Sequence, residues 1–115
     1  MKKFGILVIL CSIFASPLAF AGGYTNWATP TSVQLVDGGL LIAGAFGDPN
    51  ACGKSDYVFV PGTNNDYKES VSLAFSALTA GRQMRIYITA CTTVSFHWSG
   101  NVVDESLDGP DIDMK

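Results

Sequence analysis

Charge is scarce in this chain. Asp, Glu, Lys and Arg make up 15% of its residues, and the basic ones are the rarer, 7 against 10 acidic. That balance excludes the basic patch a nucleic-acid-binding surface needs. Histidine occurs once, as His97, and no C-x-x-C pair is present. One histidine and, besides Cys11, two distant cysteines make a poor zinc set, so neither a metal nor another cofactor is expected. Gly38-Gly39 is followed by no helix and so is no phosphate loop. Past Ala21 no apolar run approaches the ~20 residues a membrane span requires. Internal repeats and low-complexity segments are absent as well.

The N-terminus has what the rest lacks. Lys2 and Lys3 form a basic start, Phe4 to Phe14 is apolar, and Ala19-Phe20-Ala21 is a small-x-small cleavage pattern. Residues 1–21 therefore read as a secretory signal peptide. The apolar stretch is too short for a retained anchor. Leu10 before Cys11 argues against a lipoprotein, where a small residue would stand. Residues 22–115 are then one domain of 94 residues with a net charge near −5, because Lys2 and Lys3 leave with the signal. Its expected location is the periplasm or the outside of the cell.

Cleavage leaves two cysteines, Cys52 and Cys91. In an oxidising compartment a pair of this kind forms a disulfide. The bridge closes a 40-residue loop, for which the chain-entropy account gives roughly 4 kcal/mol.

Thr31 to Val36, "TSVQLV", alternates in the manner of a half-buried strand. Asp37-Gly38-Gly39 is turn chemistry, and Leu40 to Phe46 is a second strand in which Gly44 marks a bulge or bend. Gly47 to Gly53 is a loop, and Ser55 to Val60 a third strand. Asp66 and Glu69 have capping-box spacing. Tyr67, Val71, Ala74, Phe75 and Leu78 then share one helical face, which is expected to be buried, and Gly81 stops the helix. From Gln83 the period becomes two: Met84, Ile86, Ile88 and Ala90 on one side, Arg85, Tyr87 and Thr89 on the other. This fourth strand ends at Cys91. Thr92 to Gly100 reads as a loop or irregular edge, Asn101 to Leu107 as a weaker fifth strand, and Asp108 to Lys115 as a frayed acidic tail. The fold class is mostly β with one helix. The order strand-strand-strand-helix-strand-strand is that of an OB-like five-stranded barrel, with a flat sheet under one helix as the alternative.

The segment "YKESVSLAFSALTAGRQMRIYI", Tyr67 to Ile88, resembles the binding subunits of pentameric bacterial toxins, in particular the B subunit of subtilase cytotoxin. "DPNACGKS" followed by Gly81, Arg85, Tyr87 and Cys91 is also similar to a set of small, mostly uncharacterised exported proteins of Gram-negative bacteria. Asp48 stands there in place of their Asn. The resemblance implies a non-enzymatic binding protein, toxin-subunit-like, for a glycan or a protein partner and with possible homo-oligomers. The alternative is a periplasmic structural or inhibitory module.

Ligand candidates are the aromatics outside the core pattern. Trp98 and His97, in "TTVSFHWSGN", and Trp27, near Tyr24, combine large rings with polar neighbours as sugar sites do. The competing role for both tryptophans is to plug the barrel ends. Arg85 and Tyr87 lie outside as either an oligomer edge or a solvated face. Catalytic residues are expected to be none. His97 with Ser95, Ser99 and Asp104 is a sequence neighbourhood, not a triad. Asp108, Asp111 and Asp113 lack the spacing of an EF-hand.

Overall fold

The computed structural model describes residues 22–94, 101–107 and 112–115. The elements are β1 (Gly23–Tyr24), β2 (Ser32–Val36), β3 (Gly39–Ala43), β4 (Tyr57–Pro61), helix α1 (Tyr67–Ala80), β5 (Met84–Ile88), β6 (Ala90–Val94), β7 (Asn101–Glu105) and β8 (Ile112–Met114). The expected class, mostly β with one helix and a disulfide, is what forms. Among the described residues no helix is long and apolar enough to cross a membrane.

The strands make two sheets rather than one closed ladder: three strands in the order β1-β5-β8 and five in the order β2-β3-β4-β7-β6. The expected fourth strand divides. Thr89 separates β5 from β6; its N–H donates to the Glu105 carbonyl at 3.0 Å and its Oγ1 accepts from Leu107 N–H at 3.1 Å. The chain before β2 also joins β5, through β1 and an isolated bridge from Ala28 to Met84. Pro30, with no N–H to give a ladder, lies between that bridge and β2.

Chain-local signals explain the five-stranded sheet. Asp37 and Gly38 both take positive φ, 53° and 72°, which suits the tight turn joining β2 to β3 in register. β3 ends at Ala43, three residues short of the expected Leu40–Phe46 strand and just before Gly44, where a bend was expected. At Gly44 a Cβ would stand 2.8 Å from the Phe46 ring, which folds back over that position. β4 pairs β7 in parallel, and β6 and β7 pair antiparallel with Cys91 opposite Asp104. Thr92 to Val94, expected in a loop, therefore belong to β6. Ile112–Met114, expected in a frayed tail, pair with β5.

The main core joins Leu40, Ile42, Val58, Val60, Met84, Ile86, Ile88 and Phe46 to Ala74 and Ala77 of α1. A second cluster, Leu41, Phe59, Val94 and Val103, lies on the other face of the large sheet.

The inward face of α1 differs from the expected one. Ser70, Ala74 and Ala77 are buried, with Tyr67, Val71 and Leu73 packed beside them, while Phe75 is 41% exposed. Small residues let the helix approach closely. Ser70 is tolerated there because its hydroxyl donates to the Asp66 carbonyl at 2.7 Å. The capping box does not form either: the Asp66 side chain makes no cap bond. Buried Asn64 organises that end instead, accepting from Asp66 N–H at 2.8 Å and donating to the Ser106 carbonyl at 2.8 Å. Gly81 closes the helix in a left-handed conformation, φ 66°, as expected.

Candidate functional site

β5 alternates as its sequence suggests, with Met84, Ile86 and Ile88 buried and Arg85 and Tyr87 on the opposite face. Pairing then gathers aromatics around that face. β1 sets Tyr24 opposite Tyr87, and their rings meet edge to face at 5.1 Å. β8 sets Asp113 opposite Arg85, and its carboxylate accepts from Arg85 Nε at 3.0 Å. The same guanidinium lies 4.0 Å from the Tyr24 ring centre and 4.8 Å from that of Trp27. Lys115 brings its ammonium 4.5 Å from Trp27. Trp27 is half-buried with two cations over its ring, in an arrangement where each cation meets the negative π face. Lys115 is placed by its own backbone, whose N–H donates to the Gln83 carbonyl at 2.9 Å and whose carbonyl accepts from Arg82 Nε at 3.0 Å.

Of the residues singled out in the sequence, Trp27 thus stands on a surface shared with Tyr24, Arg85 and Tyr87. Trp98 and His97, with Ser95, Phe96 and Ser99, lie outside the described residues, as do Asp108 and Asp111. Asp113 is engaged by Arg85. The meeting of Trp27 with Arg85 was not evident from the sequence; the signal was the outward phase of Arg85 and Tyr87, without the two-residue strand that brings Tyr24 and Trp27 alongside.

A second constellation surrounds the disulfide. Cys52 and Cys91 are bonded, with Cα atoms 5.6 Å apart. Asp104, on β7 opposite Cys91 of β6 and Val58 of β4, is wholly buried, and among the described residues its carboxylate oxygens make no hydrogen bond of good geometry. A carboxylate oxygen of Asp104 and the two Sγ atoms lie within 4.8 Å of one another. With the sulfurs bonded to each other, these atoms are not a thiolate metal set.

Asp48 faces Asp104 from the Gly47–Gly53 loop, where its two oxygens accept from Cys52 N–H at 2.8 Å and Gly53 N–H at 2.9 Å. Burial is the first cause lifting the Asp104 carboxyl from its ordinary 3.8 to about 7, followed by the hydrogen bond and charge of Asp48; the Asn50 and Cys52 amides pull the other way. Burial also acts to raise Asp48, but the donors at Gly53, Asp104 and Cys52 outweigh it and leave its carboxyl below the ordinary value. Two facing carboxylates have no donor between them until one is protonated. Of the two, Asp104 is the one that holds a proton, up to about pH 7. Sequence reading placed Asp104 only near His97. Finding this pair required the β6–β7 register.

No protein-family model, curated protein or solved structure matches the chain.

Proposed function

We propose that this is an exported, non-enzymatic binding protein whose ligand is a glycan, taken up on the face of Tyr24, Trp27, Arg85 and Tyr87. The observation that carries the reading is the Trp27 ring, half-buried beside partly exposed Tyr24 and held among cations and a carboxylate. Sugars present an apolar C–H face to an aromatic ring and hydroxyls to charged and polar groups, so a site needs both kinds of partner together. The resemblance to toxin binding subunits agrees with this reading. It extends it to a homo-oligomer acting in the periplasm or after secretion.

The fold behind it is read as an OB-like barrel. What supports this is the order β2-β3-β4-β7-β6 with its parallel β4–β7 pair, together with the two chain segments that take part in both sheets. β1, Ala28 and β2 would then be one interrupted strand, and β5 and β6 another.

A glycan array on the mature protein tests the function. Trp27→Ala is expected to abolish binding while moving the thermal midpoint by only a few degrees. A stable Trp27→Ala protein that retains its array profile would refute the site. The second reading, a protein-interaction module, has its own support. β2 is an edge strand with Leu35 64% exposed, and such an edge offers unpaired backbone groups and an apolar anchor for strand addition. A silent array combined with loss of oligomers on Leu35→Lys would favour it.

A further inference from the structure

The disulfide has an open side and a buried side, and the two differ chemically. On the open side Cys91 is exposed and lines a surface pocket of about 470 Å³ with Asn50, Ala51 and Thr89. The Asn50 amide donates toward Cys91 Sγ at 3.5 Å and Cys52 Sγ at 3.8 Å. On the buried side lies the Asp104 carboxyl, wholly enclosed, with an oxygen within 4.8 Å of both sulfurs. A pocket at one sulfur and an enclosed acid close to both give the bond an entry side and a proton side. Burying that acid is costly unless it is protonated.

We propose that Cys52–Cys91 is an exchangeable disulfide that reacts with a dithiol, peptide or protein, entering at Cys91, with Asp104 as the proton donor to the departing Cys52 sulfur. The incoming thiolate gives its electron pair to Cys91 Sγ. A mixed disulfide forms, and the Cys52–Cys91 bond breaks with its electron pair on Cys52. Asp104 hands its proton to that thiolate, leaving a Cys52 thiol and an Asp104 carboxylate. The second thiol of the reagent, deprotonated, then displaces Cys91 as a thiolate, which takes a proton from solvent. Two electrons have passed from the dithiol, now a disulfide, to the protein, now a dithiol. Asp104 regains its proton from solvent. Asn50 is a positioning residue: its N–H points at the sulfurs where negative charge develops. Cys91 is the sulfur attacked because access decides which sulfur reacts.

The groups facing Asp104 fix what its titration means. The loop contributes Asp48 and Cys52, β6 contributes Cys91, and β4 contributes apolar Val58. Asp48 is ionised through the neutral range, so the proton available to sulfur is the one on Asp104.

The test uses the folded, oxidised mature protein with reduced glutathione and, separately, dithiothreitol, followed by acid quench, alkylation and peptide mass mapping. Glutathione is expected on Cys91 and the alkyl label on Cys52. The dithiothreitol reduction rate, expressed per reagent thiolate, should fall between pH 6 and pH 8 as Asp104 loses its proton. In Asp104→Asn that pH dependence should vanish and the rate at pH 6 should drop at least about tenfold. Glutathione on Cys52, reduction only at the rate of global unfolding, or unchanged pH dependence in Asp104→Asn would each overturn the proposal. Should Asp104→Asn fail to fold, the mapping and pH profile of the unmutated protein decide alone.

Discussion

Replacing Asp104 with Asn should remove most of a steep loss of stability with rising pH. The sign follows from the direction of the shift. In the unfolded chain Asp104 titrates near its ordinary 3.8; in the fold it holds its proton to about 7. Below both values the group is neutral in either state and contributes no pH dependence. Between them the folded state binds the extra proton, so stability falls as pH rises from about 4 to about 7, and above that the loss is complete. The displacement corresponds to about 4 kcal/mol at most, at about 1.4 kcal/mol per decade in the proton equilibrium. That is a large part of what a domain of this size possesses. Asn keeps the shape and offers an N–H to Asp48 in place of the acid proton. Glu105, buried and also raised by burial, pushes in the same direction but is present in both proteins and cancels in the difference. Urea unfolding of the oxidised proteins at pH 4, 5, 6, 7 and 8 is the assay. The stability gap, Asn variant minus parent, should grow by roughly 2–4 kcal/mol across the series. Two curves that stay parallel would refute the protonated pair.

Residues 22–115, denatured and unreduced, should titrate no free thiol, and replacing Cys52 and Cys91 with Ser should cost up to about 4 kcal/mol in chemical denaturation. Phe75→Ala should cost under about 1 kcal/mol because that ring faces solvent, whereas Ile86→Ala, wholly buried, should cost about 2–5 kcal/mol; equal losses would place the helix face where the sequence pattern put it. Asn64→Ala should cost about 1–3 kcal/mol, since it leaves the Ser106 carbonyl and the Asp66 N–H without their partner; a neutral effect in urea unfolding would remove Asn64 from the helix start.

What the sequence discloses here follows how local each determinant is. The stop at Gly81 and the alternation of Met84 to Ile88 depend on single residues and a fixed period, and both form as read. The face of α1 depends on what it packs against. The pattern weights large residues, so Phe75 attracts the inward assignment, yet the sheet takes Ser70, Ala74 and Ala77, whose small side chains allow closer contact. The Cys52–Cys91 bond was legible by elimination once residues 1–21 are read as a signal peptide. Asp104 was not. Its neighbours are fixed by strand register with Cys91 and by a loop that carries Asp48, and neither leaves a periodic trace. β8 was hidden for a related reason: Ile112 sits among aspartates, and its strand exists because β5 has a free edge and Arg85 awaits Asp113.

Both constellations hang on one run of chain, since β5 carries Arg85 and Tyr87 and β6 carries Cys91, with Thr89 alone between them. Thr89 lines the pocket at Cys91 and is tied to the β7 end by two hydrogen bonds, from its N–H and to its hydroxyl. The aromatic face, by contrast, draws its order from β1 and β8, which pair with β5 on either edge, and Asn26, between Tyr24 and Trp27, meets the start of the Gly47–Gly53 loop through its N–H bond to the Phe46 carbonyl. Breaking the disulfide would free that loop from β6 while leaving the β1-β5-β8 ladder and its ion pair intact. The aromatic face and the disulfide thus have different neighbours along one run of chain, and Thr89 is the residue that joins them.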